Sequence, residues 1–136
     1  MLNINKAIIA GNLGGDPETR YFPDGTAICT YRVATTLRYK DKKTQQTREI
    51  TEWHTVKSTG KRAEIDAQYL RKGSGVYVEG RLRTDVWEDR ETGKDRYATY
   101  IAAQVVQFTG PKPKDAPADQ PPMDDDGGYY SDDHPA

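Results

Sequence analysis

Cysteine occurs once, at Cys29, so no disulfide can form within the chain. This sets aside the disulfide-stapled secreted scaffolds and leads to the expectation of an intracellular, cytoplasmic protein. Residues 1–15 also lack the basic start, long apolar stretch and small-residue cleavage site of a signal peptide. Cys29 lies in an apolar stretch and reads as a small buried filler rather than a reactive thiol. No apolar run approaches the roughly 20 residues needed to cross a bilayer. No Walker loop, paired-cysteine site or zinc-protease motif is present, so neither a cofactor nor a metal is expected.

Apolar residues are scarce as well, at 35% of 136, against 30% charged. The shortage is concentrated at one end. Only Pro17 and Pro23 fall in the first 110 residues; the other six prolines lie beyond, with Asp124-Asp125-Asp126 and Gly127-Gly128. Such a segment cannot bury enough apolar surface to offset its ordering entropy, so residues 111–136 are expected to be a disordered acidic tail. Three adjacent aspartates invite a metal reading, but a flexible Pro/Gly segment lacks the preorganisation a metal site needs.

Charge divides at the same boundary. Residues 111–136 hold two lysines and seven aspartates, net −5, which leaves 18 basic and 14 acidic residues in 1–110, net +4. A basic body with an acidic tail suits a protein that handles nucleic acid; it equally suits a solvated surface with a solubilising tail.

Residues 1–110 read mainly as strand. Strands are predicted over Lys6–Leu13, Thr26–Leu37, Ile50–Thr59, Gly75–Trp87 and Tyr97–Phe108. Turns follow from Gly14-Gly15-Asp16-Pro17 and Asp24-Gly25, and Glu91-Thr92-Gly93-Lys94 reads as a hairpin loop. One helix is predicted over Lys61–Lys72, with Ala63, Ala67 and Leu70 on one face and Gly73 as its stop. No internal repeat is evident. Five strands with a helix between the third and fourth suggest an all-β OB-fold, a five-stranded Greek-key barrel, with an unrelated small barrel as the alternative.

Alternation sorts the strand residues onto two faces. Val76, Val78, Gly80 and Leu82 form the core side of the fourth strand. Tyr77, Glu79, Arg81, Arg83, Asp85 and Trp87 face the other way. Trp53, Thr55, Lys57 and Thr59 share a face of the third strand, and Tyr39, Lys40, Lys42 and Lys43 follow the second. Flexible single strands need cations for phosphates and flat rings for unstacked bases, each stacked base contributing about 1–3 kcal/mol irrespective of sequence. Tryptophan and tyrosine interleaved with lysine and arginine supply both; tryptophans in a core and lysines in solvent are the plain alternative. Reading a duplex would require a helix suited to the major groove, and the single helix is committed to closing the barrel. His54 lacks a nucleophile or orienting partner nearby and reads as packed or interfacial.

Several motifs carry a family resemblance. Gly11-Asn12-Leu13-Gly14-Gly15-Asp16-Pro17-Glu18 with Arg20-Tyr21, Thr51-Glu52-Trp53-His54, Tyr69-Leu70-Arg71-Lys72-Gly73-Ser74, Val76-Tyr77-Val78-Glu79-Gly80 and Leu82-Arg83-Thr84 resemble bacterial single-stranded DNA-binding proteins. Trp87 and Asp95-Arg96-Tyr97 continue the match, which spans about residues 3–108 in order. The resemblance implies an OB-fold domain over residues 1–110 that assembles as a homotetramer. It implies sequence-independent binding and protection of single-stranded DNA in replication, recombination and repair, without enzymatic activity, in the nucleoid. By the same resemblance Trp53 and Trp87 stack on bases, and Tyr39 stands where tryptophan is common. Lys6, Lys42, Lys61, Arg71, Lys72, Arg83 and Arg96 match positions that meet phosphates, while His54 and Tyr77 match positions near subunit contacts.

Departures from the family pattern also count. Thr59 replaces an aromatic, and Thr55 and Asp85 stand where basic residues are frequent; Lys57 and Arg81 partly compensate. The family's usual ending, an acidic run closed by Ile-Pro-Phe, docks into partner enzymes. Here Asp132, Asp133, His134, Pro135 and Ala136 keep the acid and a proline but not the phenylalanine, so docking of replication or repair proteins is expected to be weak. Burying an aromatic side chain contributes roughly 2–3 kcal/mol. Two other classes stand beside the main reading: an OB-fold adaptor in a replication assembly with weak DNA binding, and a nuclease on the same barrel, for which the binding face lacks a carboxylate cluster. Thr59→Phe is expected to strengthen binding by restoring a stacking ring. The check is a salt titration with oligo-deoxythymidine, in which unchanged or weaker affinity counts against the assignment of that position.

Overall fold

Side chains that alternate between apolar and polar build long strands here, and those strands close on themselves. The computed structural model describes residues 1–109; the acidic segment, including Asp132, Asp133, His134, Pro135 and Ala136, lies outside the described residues. The elements in order are β1 (Ala7–Leu13), β2 (Glu18–Tyr21), β3 (Ala27–Lys40), β4 (Thr47–Thr59), α1 (Lys61–Tyr69), β5 (Gly75–Glu88) and β6 (Asp95–Phe108). The sheet runs β1-β5-β6-β4-β3-β2, and a further pairing of β1 with β3 at Asn12–Ala34 and Leu13–Val33 closes the ring. Five strands thus form a closed barrel with the helix between the third and fourth, which is the OB-fold. The core gathers Cys29, Val33, Val56, Leu70, Val76 and Val78, none more than 1% exposed. Burial raises the Cys29 thiol pKa to about 12.

Two glycines mark where the barrel closes. A Cβ on Gly11 would run into the carbonyl of Ala34, and one on Gly80 into the carbonyl of Ala102. Gly80 also adjoins the register shift between β5 and β6, a bulge of the kind that bends strands at barrel corners.

Three features differ from the sequence-based expectation. The short strand β2 has four exposed residues and no alternation, so its sequence gives no strand signal; it exists because it bonds along Ala27–Thr30 of β3. The helix stops at Tyr69, three residues before the predicted end at Lys72. Leu70 turns extended, with φ −90° and ψ 140°, and plugs the core at 1% exposure. The following turn is held by the opening motif: Gly73 N–H bonds Leu13 O (2.8 Å), Leu13 N–H bonds Ser74 O (2.9 Å), and Lys72 N–H bonds the Asp16 carboxylate (2.8 Å). Gly73 serves this turn, at φ +90°, rather than the helix end. Finally, Leu82 is predicted on the core side but is 49% exposed. Beyond Gly80 the β5–β6 pair leaves the barrel as a two-stranded ribbon, so the same strand face emerges into solvent.

The β3–β4 pair forms a second ribbon, in register from Ile28–Thr59 out to Lys40–Thr47. Although the sequence shows no repeat, the two ribbons end in the same loop. Asp41 Oδ1 accepts the amides of Lys43 (2.8 Å) and Thr44 (3.4 Å), and Asp89 Oδ1 those of Glu91 (2.8 Å) and Thr92 (3.4 Å). Thr44 and Thr92 hydroxyls accept the amides two residues on, at 3.3 Å in both. Arg48 and Arg96 each pair through Nε with the aspartate at 3.0 Å. Backbone hydrogen bonds, first of all, and the arginine hold both aspartates below the usual carboxylate pKa. The left-handed position is Gln45 (φ 61°) in one loop and Gly93 (φ 72°) in the other.

Among the described residues, one charged group is fully buried. Asp66 on α1 has no exposed surface; Ser58 Oγ donates to it (2.8 Å) and Arg62 Nε pairs with it (3.0 Å). Across the same core the Tyr31 hydroxyl is buried with no hydrogen-bond partner among the described residues. Desolvation dominates the nearby cation and hydroxyl and raises Asp66 to about 6 from 3.8. The folded protein therefore holds a proton that the unfolded chain releases at lower pH. The stabilisation from this group is complete below the unfolded pKa and is lost as pH rises through about 6. Asp66→Asn is expected to remove this dependence, gaining on the order of 2 kcal/mol relative to wild type between about pH 4 and about pH 8. Urea unfolding of both proteins at the two pH values checks this; a pH-independent difference would mean that Asp66 does not titrate there.

Candidate nucleic-acid interface

Strands β4 and β6 run parallel and meet only at Val56–Ile101 and Lys57–Ala102. Towards their loops the two ribbons separate, leaving a fork on the barrel's outer side. A hollow of about 150 Å³ lies in the fork, lined by Trp53, His54 and Thr55 of one ribbon and Leu82, Thr99 and Tyr100 of the other, with Ile101 at its base.

Trp53 projects from β4 at 48% exposure. Its ring edge lies against Gly14, where any Cβ would collide with the indole. The guanidinium of Arg32 sits 5.2 Å from the ring centroid, an electrostatic contact with the ring face. Beside it a cleft of about 590 Å³ is lined by Gly14, Gly15, Asp16, Glu18, Thr30 and Arg32 together with Tyr31 and Trp53. The glycine pair of the opening motif thus leaves room for an indole and for something flat beside it.

Trp87 is 50% exposed near the end of β5, opposite Arg96. Lys57, on the Trp53 face of β4, reaches Asp85, on the Trp87 face of β5, at 3.4 Å. The two tryptophans therefore belong to one continuous outer surface. Tyr39 is 43% exposed but lies opposite Arg48. Alternation along the ribbon places it on the other face from Trp53.

Several cations predicted from sequence already have partners. Lys6 pairs with Glu79 at 3.2 Å and Arg96 with Asp89 at 3.0 Å. Arg71 Nη1 donates to the carbonyls of Ala67 (3.1 Å) and Leu70 (2.7 Å), closing the end of α1. Lys42 at a loop, Lys61 at the start of α1 and Lys72 in the following turn are exposed, as is Arg83, while Arg81 is half-buried. Tyr77 donates its hydroxyl to Glu79, which with Lys6 holds the Glu79 carboxyl below its ordinary pKa. His54 Nε2 shares a 2.8 Å hydrogen bond with the Thr35 hydroxyl across β3 and β4.

Sequence reasoning missed Arg32 and Tyr100. Arg32 reaches Trp53 through the cross-strand register, in which Ala34 faces Trp53 and Arg32 faces Thr55. That register is not written in either strand alone. Tyr100 lies on the outer face with Lys57 4.3 Å above its ring; alternation within β6 held the signal, but its cross-strand partners did not show.

The family model described as the single-strand binding protein family matches residues 4–109. The chain belongs to this family. Among solved structures, a Plasmodium falciparum single-strand binding protein described in complex with single-stranded DNA superposes with a TM-score of 0.72 at 25% identity. That match covers 81% of this chain and 98% of the other. A deletion variant of the single-stranded DNA binding protein from Thermus aquaticus gives a TM-score of 0.67 at 30% identity, over 79% of this chain and 51% of that one. Among the described residues, no helix is long and apolar enough to cross a membrane, and no group of three His, Cys, Asp or Glu side chains is placed to hold a metal ion.

Arg32→Ala, made in a Trp87→Phe background so that Trp53 alone reports, is expected to raise acrylamide quenching of the indole. Unchanged quenching would mean that the guanidinium does not cover the ring in solution.

Proposed function

We propose that this family member binds single-stranded DNA with little sequence preference, stacking bases on Trp53 and Trp87 and meeting phosphates with the surrounding cations. The observation that carries this reading is the pair of half-exposed tryptophans on one outer surface, joined through Lys57 and Asp85. An indole face accepts any base, and cations along the path follow the backbone irrespective of sequence. The relative described with bound single-stranded DNA supports the same ligand class. Stacking rings and charge on one surface support a role in binding and protecting the strand.

The reading extends to a cytoplasmic, nucleoid-associated homotetramer serving replication, recombination and repair. His54 and Tyr77 lie at its subunit contacts, and residues 1–110 form its DNA-binding unit. Lys6, Lys42, Lys57, Lys61, Arg71, Lys72, Arg81, Arg83 and Arg96 contribute charge to the DNA path, and Tyr39 adds a ring on the far side of its ribbon.

Titration of intrinsic fluorescence with oligo-deoxythymidine tests the proposal. Expected are strong quenching and an affinity that falls with salt, with a log–log slope of about −0.7 for each phosphate met. Trp53→Ala and Trp87→Ala should each cost about 1–3 kcal/mol. Sedimentation of the same samples should show four chains. Binding without quenching and without salt dependence would remove both tryptophans from the mechanism.

A further inference from the structure

We infer that Lys57, Arg83 and Tyr100 form a phosphate subsite at the base of the fork, in which Asp85 is an internal stand-in for the phosphate; this rests on the single-strand-binding reading above. Four side chains from three strands converge there. Lys57 Nζ lies 3.4 Å from Asp85 Oδ2 and 4.3 Å from the centre of the Tyr100 ring. The Tyr100 hydroxyl donates to Asp85 Oδ1, also at 3.4 Å. Arg83 stands directly across the β5–β6 pair from Tyr100 and adds a second positive charge that acts on its hydroxyl.

A lysine and a phenol hydroxyl meeting one oxygen pair, with an arginine beside that hydroxyl, are the chemistry that receives a phosphodiester. The Asp85 carboxylate presents oxygens of the same kind, but from within the chain. Its contacts with Lys57 and Tyr100, both 3.4 Å, are at the long limit for hydrogen bonds, and its side chain is 50% exposed. Lys57 is the better held partner, at 28% exposure beneath the ribbon surface. The carboxylate is thus the mobile member, free to turn outward when a phosphate arrives, while lysine and ring stay in place. The position is also apt. Lys57 is four residues along β4 from Trp53, and Arg83 four along β5 from Trp87. At about 3.3 Å per residue the subsite lies roughly 13 Å from each tryptophan, between the two stacking rings.

The arrangement makes Asp85 an affinity-setting residue. Every strand that binds must displace it, and its charge opposes the phosphate that does so. Removing the charge while keeping the shape should release Lys57 to the phosphate.

The test is a double-mutant cycle of Asp85→Asn and Lys57→Gln in the full chain, read by oligo-deoxythymidine titration over a range of salt. Asp85→Asn should bind about three- to fivefold more tightly at low salt, with a salt slope steeper by about 0.7. Lys57→Gln alone should weaken binding by the loss of one phosphate contact, and in its presence Asp85→Asn should no longer tighten binding. A gain that survives Lys57→Gln would overturn the subsite, leaving general repulsion, and so would the absence of any gain in a wild type that binds. Failure of wild type to bind at all would instead strike the single-strand-binding reading on which the subsite depends.

Discussion

Two residue pairs, Val56–Ile101 and Lys57–Ala102, are all that join β4 to β6, and the outer surface takes its shape from how brief that contact is. Backbone hydrogen bonds between neighbouring strands hold them about 4.8 Å apart. While they persist, the surface is a sheet; where they stop, each ribbon follows its own twist. The barrel below is closed by β1, which bonds to both β5 and β3, so the divergence above costs the core nothing. Trp53, Lys57, Asp85, Tyr100 and Trp87 owe their placement to this point of separation, since each lies on a ribbon that leaves the barrel beside it.

The two ribbons show how one solution to a local problem is used twice. A hairpin end must satisfy backbone amides that no strand will pair. In both loops an aspartate takes two of them, a threonine takes a third, and an arginine seven residues on neutralises the aspartate. Arg96, which the family pattern places among the phosphate-meeting residues, has the same occupation as Arg48. Its guanidinium can still offer its outer N–H groups to a ligand while Nε keeps the loop closed.

Much of the fold is legible in the sequence because the core strands alternate cleanly. Cys29, Tyr31 and Val33, or Val76 and Val78, declare their buried face without help. Tryptophans flanked by basic residues on the opposite face point to the ligand class in the same way. What stays hidden depends on partners distant in sequence. Strand β2 is made by the edge of β3, the helix end by the grip of the opening motif on residues 71–74, and the Arg32–Trp53 contact by the β3–β4 register. Leu82 misleads because alternation reports a strand's face but not where the strand leaves the core. Asp66 misleads for the converse reason: helical spacing from Ala63 and Leu70 puts it on the apolar face, but in a helix rich in charged residues its carboxylate reads as one more solvated group. The same register dependence separates Tyr39 from Trp53, although both are aromatics on one ribbon.

Cys29 has a consequence of a different sort. It is the chain's one thiol, it has no exposed surface, and burial holds it protonated far above neutral pH. Alkylating reagents attack the thiolate, so modification must wait for β3 to detach from its neighbours. The rate of labelling in native buffer therefore clocks the opening of the barrel itself, separately from motions of the ribbons and loops. A ligand that clasps only the ribbons would leave that clock unchanged, whereas one that braces the barrel would slow it.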